Sequence, residues 1–488
     1  MRWFCAYRMK CPLIAAFLFS LSAFADGGEG RVIHHDGGSL VFNSSGVLTI
    51  AANDVAVSRF VYDGDRRVTA ADMLFGTNYF AFAFLRDAGG LVTNITYDVG
   101  KSVSRTYDLS GRLARVTDWL GHSWTFQYDA LGRSTRLTYP TGIEKVCTYD
   151  AAGRLASWRV GTIQGRTMTY DAAGRRISDR IDFGPMPNVT SQKQTGTYNA
   201  ADQLVSGTKT QAGTTCDEQF AHNRNGAMTN IVSAGITTRT FAYNSRGQFA
   251  GLTENGETVT CAYDAMGNRI RIGESILVPD FTDSLSRPLC ETTTSAAKYY
   301  IWANNELLGV IAADGTFIVT HCDNFSSVIA HSDASGNLLS NVVYGPHGEI
   351  WRQTGTPLTF RWLGGYGVRQ MDNGLCLTQH RLYDSVRQRF LSSDPMGIDG
   401  GFNLYAYGNC NPVDHSDPTG LCSDFPADCL EFLKDSYSGV PNLIRAGFDF
   451  FQSTATYQSE WAFEQGLRFE AVNYRALARG SRNERWSS

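Results

Sequence analysis

Tyr107-Asp108-Leu109-Ser110-Gly111-Arg112 returns as Tyr128-Asp129-Ala130-Leu131-Gly132-Arg133, Tyr149-Asp150-Ala151-Ala152-Gly153-Arg154 and Tyr170-Asp171-Ala172-Ala173-Gly174-Arg175, each copy starting 21 residues after the last. An even internal period means one supersecondary unit copied along the chain. Such units cannot bury an apolar face alone, so they stack, and the stack becomes the fold. Between copies, Leu137, Tyr139, Ile143, Val146 and Thr148 form short strand-like runs broken at Pro140 and Gly142. Short β-rich runs punctuated by Gly, Pro and Asp predict consecutive hairpins. Within the phrase, the tyrosine ends a strand, its ring capping an apolar layer and its hydroxyl staying wet. The aspartate accepts from backbone N–H groups two or three residues on and pre-forms a turn. The glycine supplies positive φ. The arginine opens the next strand and reaches a neighbouring aspartate or carbonyl. Each position has a structural task, so the phrase argues for scaffold; ligand binding by the same residues is the alternative.

Worn copies extend the array: Tyr198-Asn199-Ala200-Ala201-Asp202-Gln203, His222-Asn223-Arg224-Asn225-Gly226, Tyr243-Asn244-Ser245-Arg246-Gly247-Gln248 and Tyr263-Asp264-Ala265-Met266-Gly267-Asn268, with Tyr62-Asp63 and Tyr97-Asp98 as outliers on the N-terminal side. Asn stands for Asp where only the turn matters. The phrase resembles the YD repeat of Rhs proteins, Tc-toxin C components and teneurins. Further on, Arg381-Leu382-Tyr383-Asp384, Arg389-Phe390-Leu391-Ser392-Ser393-Asp394-Pro395-Met396-Gly397, Gly400-Gly401-Phe402-Asn403-Leu404-Tyr405-Ala406-Tyr407, Asn411-Pro412 and Asp417-Pro418-Thr419-Gly420-Leu421 follow in order. That series is similar to the Rhs repeat-associated core, and with the repeats the resemblance covers residues 96–421. It implies a mainly β fold: a tandem-hairpin spiral forming all or part of a hollow β-shell or cocoon, with the core region as a plug.

The expected organisation is a signal peptide over 1–25, an N-terminal β segment over 26–95, YD repeats over 96–290 and a core-like region over 291–421. A variable α-rich tail follows over 422–488. Arg2, Arg8 and Lys10 precede the apolar run Leu13–Phe19, and Ala23-Phe24-Ala25 fits a small-x-small cleavage rule, with Asp26 as the new N-terminus. The run is short for a bilayer span, and no second run of spanning length follows. Export is therefore expected, to the periplasm, the cell surface or the medium. Leu430, Leu433, Tyr437, Leu443, Ile444, Phe448 and Phe451 recur at helical spacings in the tail.

In 488 residues, hydrophobic content is 43% and charge 18%, with 49 Gly against 13 Pro, which suits an ordered, turn-rich protein. A net charge of −4 without a basic run gives nothing to attract nucleic acid. Of 11 cysteines, Cys5 and Cys11 go with the signal, and the nine left match no zinc spacing. At most one or two bridges are expected, Cys422–Cys429 being the sequence-local candidate. The nine histidines form no H-E-x-x-H pair, and His34-His35 is read as exposed. No phosphate loop or nucleophile elbow is present, so no metal or cofactor is expected. The tail has no histidine and no zinc-deaminase signature, and its activity is unassigned.

The chemistry lies in two Asp-Pro-x-Gly phrases. The resemblance implies that Asp394 and Asp417 form an aspartyl-protease-like dyad that cuts the chain between Leu421 and Cys422. Two close carboxylates cannot both ionise easily, so one keeps a proton. A tethered bond enjoys high effective molarity, so a weak catalyst serves for one turnover. Arg389 and Arg381 are the nearby arginines that would tune the pair. Asp-Pro-x-Gly is equally a good type I turn, and Asp414, beside His415, competes with Asp417 for the role. Three readings stay open. The first is a shell that encloses and releases its own C-terminal tail as cargo, with a further shell or delivery protein and an immunity protein as partners. The second is an exported β-rich surface protein for carbohydrate binding or cell–cell contact, with surface glycans as partners. The third is a scaffold without present activity.

Overall fold

The computed structural model describes residues 31–421, apart from 36, 99, 188–191, 212, 357 and 358. The expected signal over 1–25 with its Ala25–Asp26 cleavage site, the expected α-rich tail over 422–488 and the candidate Cys422–Cys429 pairing lie outside the described residues.

Each copy of the phrase is a hairpin turn built the same way. Asp108 N–H donates to the Arg112 carbonyl (2.8 Å) and Gly111 N–H returns to the Asp108 carbonyl (3.0 Å). Asp108 Oδ1 accepts from the N–H groups of Ser110 and Arg112, both at 2.9 Å. These lie two and four residues on, where two or three had been expected. Oδ2 receives Arg112 Nε at 2.7 Å. Asp129, Asp150 and Asp171 repeat the pattern with Arg133, Arg154 and Arg175. Gly111, Gly132, Gly153 and Gly174 all have φ between +75° and +85°, a region that costs any residue with a Cβ.

The tyrosine locks one repeat to the last. Its hydroxyl, on a half-buried ring, also has a protein partner: Tyr128 donates to the Leu113 carbonyl (2.9 Å), Tyr149 to Ser134 (2.8 Å) and Tyr170 to Leu155 (2.8 Å). The preceding repeat's arginine lies over each ring, at 5.0, 4.3 and 4.6 Å, close enough for cation–π attraction. Arg112 and Arg154 also reach the next repeat's Asp129 and Asp171 carbonyls.

Stacked this way, the hairpins make two long antiparallel ribbons in which every strand pairs with its sequence neighbours. The first has 15 strands, Arg31–His35 through Arg176–Phe183; the second has 16, Gln192–Tyr198 through Ile350–Gly355. The segment 183–187, whose Gly and two Pro predict a loop, falls at the break between them, except that Phe183 still pairs as the last residue of the strand Arg176–Phe183. Strand Asn78–Arg86 carries the alternating aromatics Tyr79 to Phe84, and Ala297–Ala303 pairs with Glu306–Ala312. Helix among the described residues is limited to short 3-10 turns such as Gly364–Tyr366.

Inward-facing residues of both ribbons join one core. Met73, Ile95, Val116 and Trp124 of the first share it with Val278, Ile301, Leu308 and Val319 of the second, all fully buried. Phe60 meets Phe281 edge-on at 5.2 Å and His122 stacks on Phe317 at 3.7 Å. Tyr97 donates to the Tyr300 carbonyl and Arg105 to that of Trp302. Along this seam the interior is filled with side chains rather than hollow. Burying a large apolar side chain contributes about 1.5–3 kcal/mol, so tight packing explains why the ribbons close on each other. A third, four-stranded sheet, Arg369–Gln370 through Arg389–Phe390, packs Leu375, Leu377, Leu382 and Leu391 against Leu204–Leu252 of the second ribbon. This is the plug. No helix of the described residues is long and apolar enough to cross a membrane.

Candidate active site

Both Asp-Pro-x-Gly phrases do form turns. Gly397 N–H donates to the Asp394 carbonyl (3.0 Å), and Asp394 Oδ1 accepts Met396 N–H (2.8 Å). Asp417 Oδ1 accepts Gly420 N–H (2.7 Å), Leu421 N–H (3.1 Å) and the Thr419 hydroxyl (3.1 Å). The turns leave each Oδ2 free for another partner, and both choose the same one. Arg381 Nη2 lies 2.8 Å from Asp394 Oδ2 and 3.1 Å from Asp417 Oδ2.

Arg381 is positioned by the small sheet. It directly precedes the strand Leu382–Asp384, and its Nη1 donates to the Leu404 carbonyl (3.1 Å). Its plane lies 3.5 Å over the Phe390 ring. Arg381 is 2% exposed and Asp417 1%. The segment after Asp417 docks beside it: His380 N–H donates to the Thr419 carbonyl (2.9 Å), and a Cβ on Gly420 would meet Thr378 Oγ1 at 2.5 Å. Tyr407 Oη accepts Asp417 N–H (3.1 Å).

Burial disfavours every charge here. It pushes the Asp394 carboxyl up to about 6, against the opposing pull of Arg381 and with repulsion from Asp417 adding to it. It raises Asp417 and lowers Arg381 from their ordinary values. One guanidinium cannot neutralise two ionised carboxylates in a buried site, so the pair holds a proton over the mildly acid range. A carboxylate that can take a proton from water and a carboxylic acid that can give one are the two parts of acid–base hydrolysis.

Of the two candidate arginines, Arg381 joins the pair. Arg389 points elsewhere: its Nη2 donates to the Asp202 carbonyl (2.6 Å) and its plane lies between Tyr198 (5.0 Å) and Tyr405 (4.9 Å). Aromatic neighbours on both sides draw it to the second ribbon. Asp414 is exposed and pairs with Arg176 (3.1 Å). Sequence reading missed Thr378, Thr419 and Tyr407 as supports; their only signal is proximity to the two phrases. The repeat tyrosines, aspartates, glycines and arginines are absorbed by the turns and the ladder. Among the described residues no group of His, Cys, Asp and Glu is arranged to hold a metal, and the seven cysteines are unbridged.

Long tandem-hairpin ribbons with a small sheet packed against them define a β-shell fold. The Teneurin YD-shell family model matches residues 147–413 and the RHS Repeat model residues 107–144. The chain belongs to the teneurin YD-shell family. It is 30% identical over 254 residues to the tRNA3(Ser)-specific nuclease WapA of Bacillus spizizenii, a match covering 49% of this chain and 10% of that protein. Toxin subunit YenC1 of Yersinia entomophaga is 27% identical over 158 residues, covering 31% of this chain and 16% of that one. This chain thus spans a minor part of these relatives. In fold it is similar to a solved chain of the Photorhabdus luminescens Tc holotoxin pore, with a TM-score of 0.56 and 16% identity, covering 81% of this chain and 25% of that one.

Proposed function

We propose that this chain is an exported YD-shell protein that hydrolyses its own backbone once, after Leu421, and so separates residues 422–488 from the wall. The observation that carries this is Arg381 bridging Asp394 and Asp417, whose Oδ1 also accepts the N–H of Leu421. In the proposed step the pair takes a proton from water. The oxygen attacks the Leu421 carbonyl carbon, the C–N bond to Cys422 breaks, and the pair's other proton goes to the leaving amine. The products are a Leu421 carboxylate and a Cys422 ammonium, and the pair is left with its single proton. The proton is shared, so the roles belong to the dyad rather than to either aspartate alone.

The cargo in this reading is residues 422–488, a 67-residue segment that would have a radius of gyration of about 11 Å if folded. A further shell or delivery protein is the partner we assign to help enclose it.

Intact-mass analysis of the purified chain tests this. The expected result is two species divided between residues 421 and 422, and one undivided species in Asp394→Asn and in Asp417→Asn. A single mass for the unaltered chain between pH 4 and 6, or division that survives both substitutions, would refute it.

A further inference from the structure

In the hairpin array the residue after the phrase is most often apolar: Leu113, Leu204, Met228 and Phe249 are buried there and Leu155 is half-buried, while Ser134 is exposed. Two copies place an arginine there, Arg176 and Arg269. Side chains alternate across a strand, so the doubled Arg175-Arg176 splits between two faces. Arg175, 81% exposed, pairs with its phrase's Asp171, while Arg176 is 7% exposed and turned inward. A charge at a position the pattern most often fills with apolar side chains needs a reason beyond the fold.

Both arginines reach the segments around the dyad. Arg176 donates to the Val413 carbonyl and pairs with Asp414 (3.1 Å), three residues before Asp417. Asp179 (3.2 Å) and the Phe325 ring (5.5 Å) hold the guanidinium in place. Arg269 crosses from the second ribbon and donates to the Thr378 carbonyl (3.1 Å). Thr378 is the contact point of the closing segment: its hydroxyl lies 2.8 Å from the Arg381 carbonyl and 3.4 Å from that of Thr419. One arginine from each ribbon thus ties down one side of the site.

We infer that Arg176 and Arg269 are positioning residues that make the site competent only when both ribbons are docked on the plug. This rests on the self-cleavage reading above. It sets an order: the wall closes first, and the chain is cut afterwards. Neither guanidinium touches a carboxylate of the pair, so they govern where Asp417 and Leu421 sit, not how the pair titrates.

The test has two arms on the full chain. In an Asp394→Asn background, which keeps the chain whole, hydrogen exchange at amides 411–421 is measured with and without Arg176→Ala or Arg269→Ala. Each is expected to speed exchange there on the order of tenfold, the effect of losing a charge-assisted hydrogen bond, and to leave the first ribbon's amides unchanged. In the otherwise unaltered chain, each is expected to slow cleavage by a similar factor without moving the midpoint of the pH–rate profile. Arg176→Lys should restore part of the rate, since a point charge reaches one acceptor where the fork reaches two. Should Arg176→Ala loosen the whole ribbon, Asp414→Asn, which leaves Arg176 its other partners, takes its place with a smaller effect in the same direction. Unchanged exchange and unchanged rate would overturn the inference. Absence of cleavage in the unaltered chain would sink the self-cleavage reading, and exchange alone would then decide whether the ties exist.

Discussion

Replacing Arg381 by Met leaves two buried carboxylates facing each other, and the cost should depend on pH. Removing one partner of a buried ion pair costs about 3–5 kcal/mol. The lost bond to the Leu404 carbonyl adds about 1 kcal/mol, and the stack on Phe390 up to about 2 kcal/mol. These terms overlap, so about 5 kcal/mol is the expected local loss at pH 8, well above the value of about 6 for Asp394. At pH 4.5 the Asp394 carboxyl, pushed up to about 6, already carries a proton, and about 2–3 kcal/mol remains. The sign follows from linkage. A carboxyl raised in the folded state binds a proton that the unfolded chain has released, so its stabilisation is full at low pH and fades as pH climbs through 6. Without Arg381 both carboxyls rise further, and the penalty grows into the neutral range. Native-state hydrogen exchange at Leu391 N–H, bonded to the Leu382 carbonyl across the small sheet, reads the local opening free energy. An equal loss at both pH values, or a loss under about 1 kcal/mol at pH 8, would refute the reasoning.

The cleavage rate should fall about tenfold per pH unit above 6, as the shared proton is lost; a rate flat from pH 5 to 8, followed by mass spectrometry, would exclude an acid in the step. Asp150→Ala should destabilise the first ribbon more than Asp150→Asn, because Asn199, Asn223 and Asn244 make the same turn bonds; thermal unfolding ranks the two, and equal effects would mean that the turn bonds do not matter. Lys145 pairs with Glu306 (2.5 Å) across the ribbon seam with both side chains largely buried. Lys145→Met should cost about 3–5 kcal/mol by stranding the carboxylate, and adding Glu306→Leu should recover most of it, seen in the urea midpoint.

The architecture was legible because the phrase encodes both its turn and its period. Tyr107, Asp108, Gly111 and Arg112 each do something local, and local chemistry survives in one sequence. Two details were not legible because their partners are remote in sequence. Tyr128 Oη finds the carbonyl of Leu113, 15 residues earlier, and nothing in the phrase marks that reach. Several turns of the same build, at Asp118–His122 and Asp323–Ser327, lack the tyrosine and escaped notice. At the site, Asp394 and Asp417 stood out through their phrases, but the choice between Arg381 and Arg389 did not. Two arginines eight residues apart, one just before a strand and one opening the next, read alike until packing shows one over Phe390 and the other between Tyr198 and Tyr405.

The same turn grammar serves scaffold and site, and the difference lies in what Oδ2 meets. In the repeats Oδ1 caps the turn and Oδ2 meets the arginine of its own phrase, four residues on, at a half-exposed surface. The pair is then complete and chemically idle. At Asp417 Oδ1 still caps the turn, but the position four residues on is Leu421, which supplies an N–H and no charge. Oδ2 must look elsewhere, and in the buried plug it finds Arg381, already engaged by Asp394. Taking the local arginine away and burying what remains turns a structural aspartate into a strained one. Burial holds a carboxyl so placed above its ordinary range, whereas the repeat aspartates, with their own cations four residues on, are held below it.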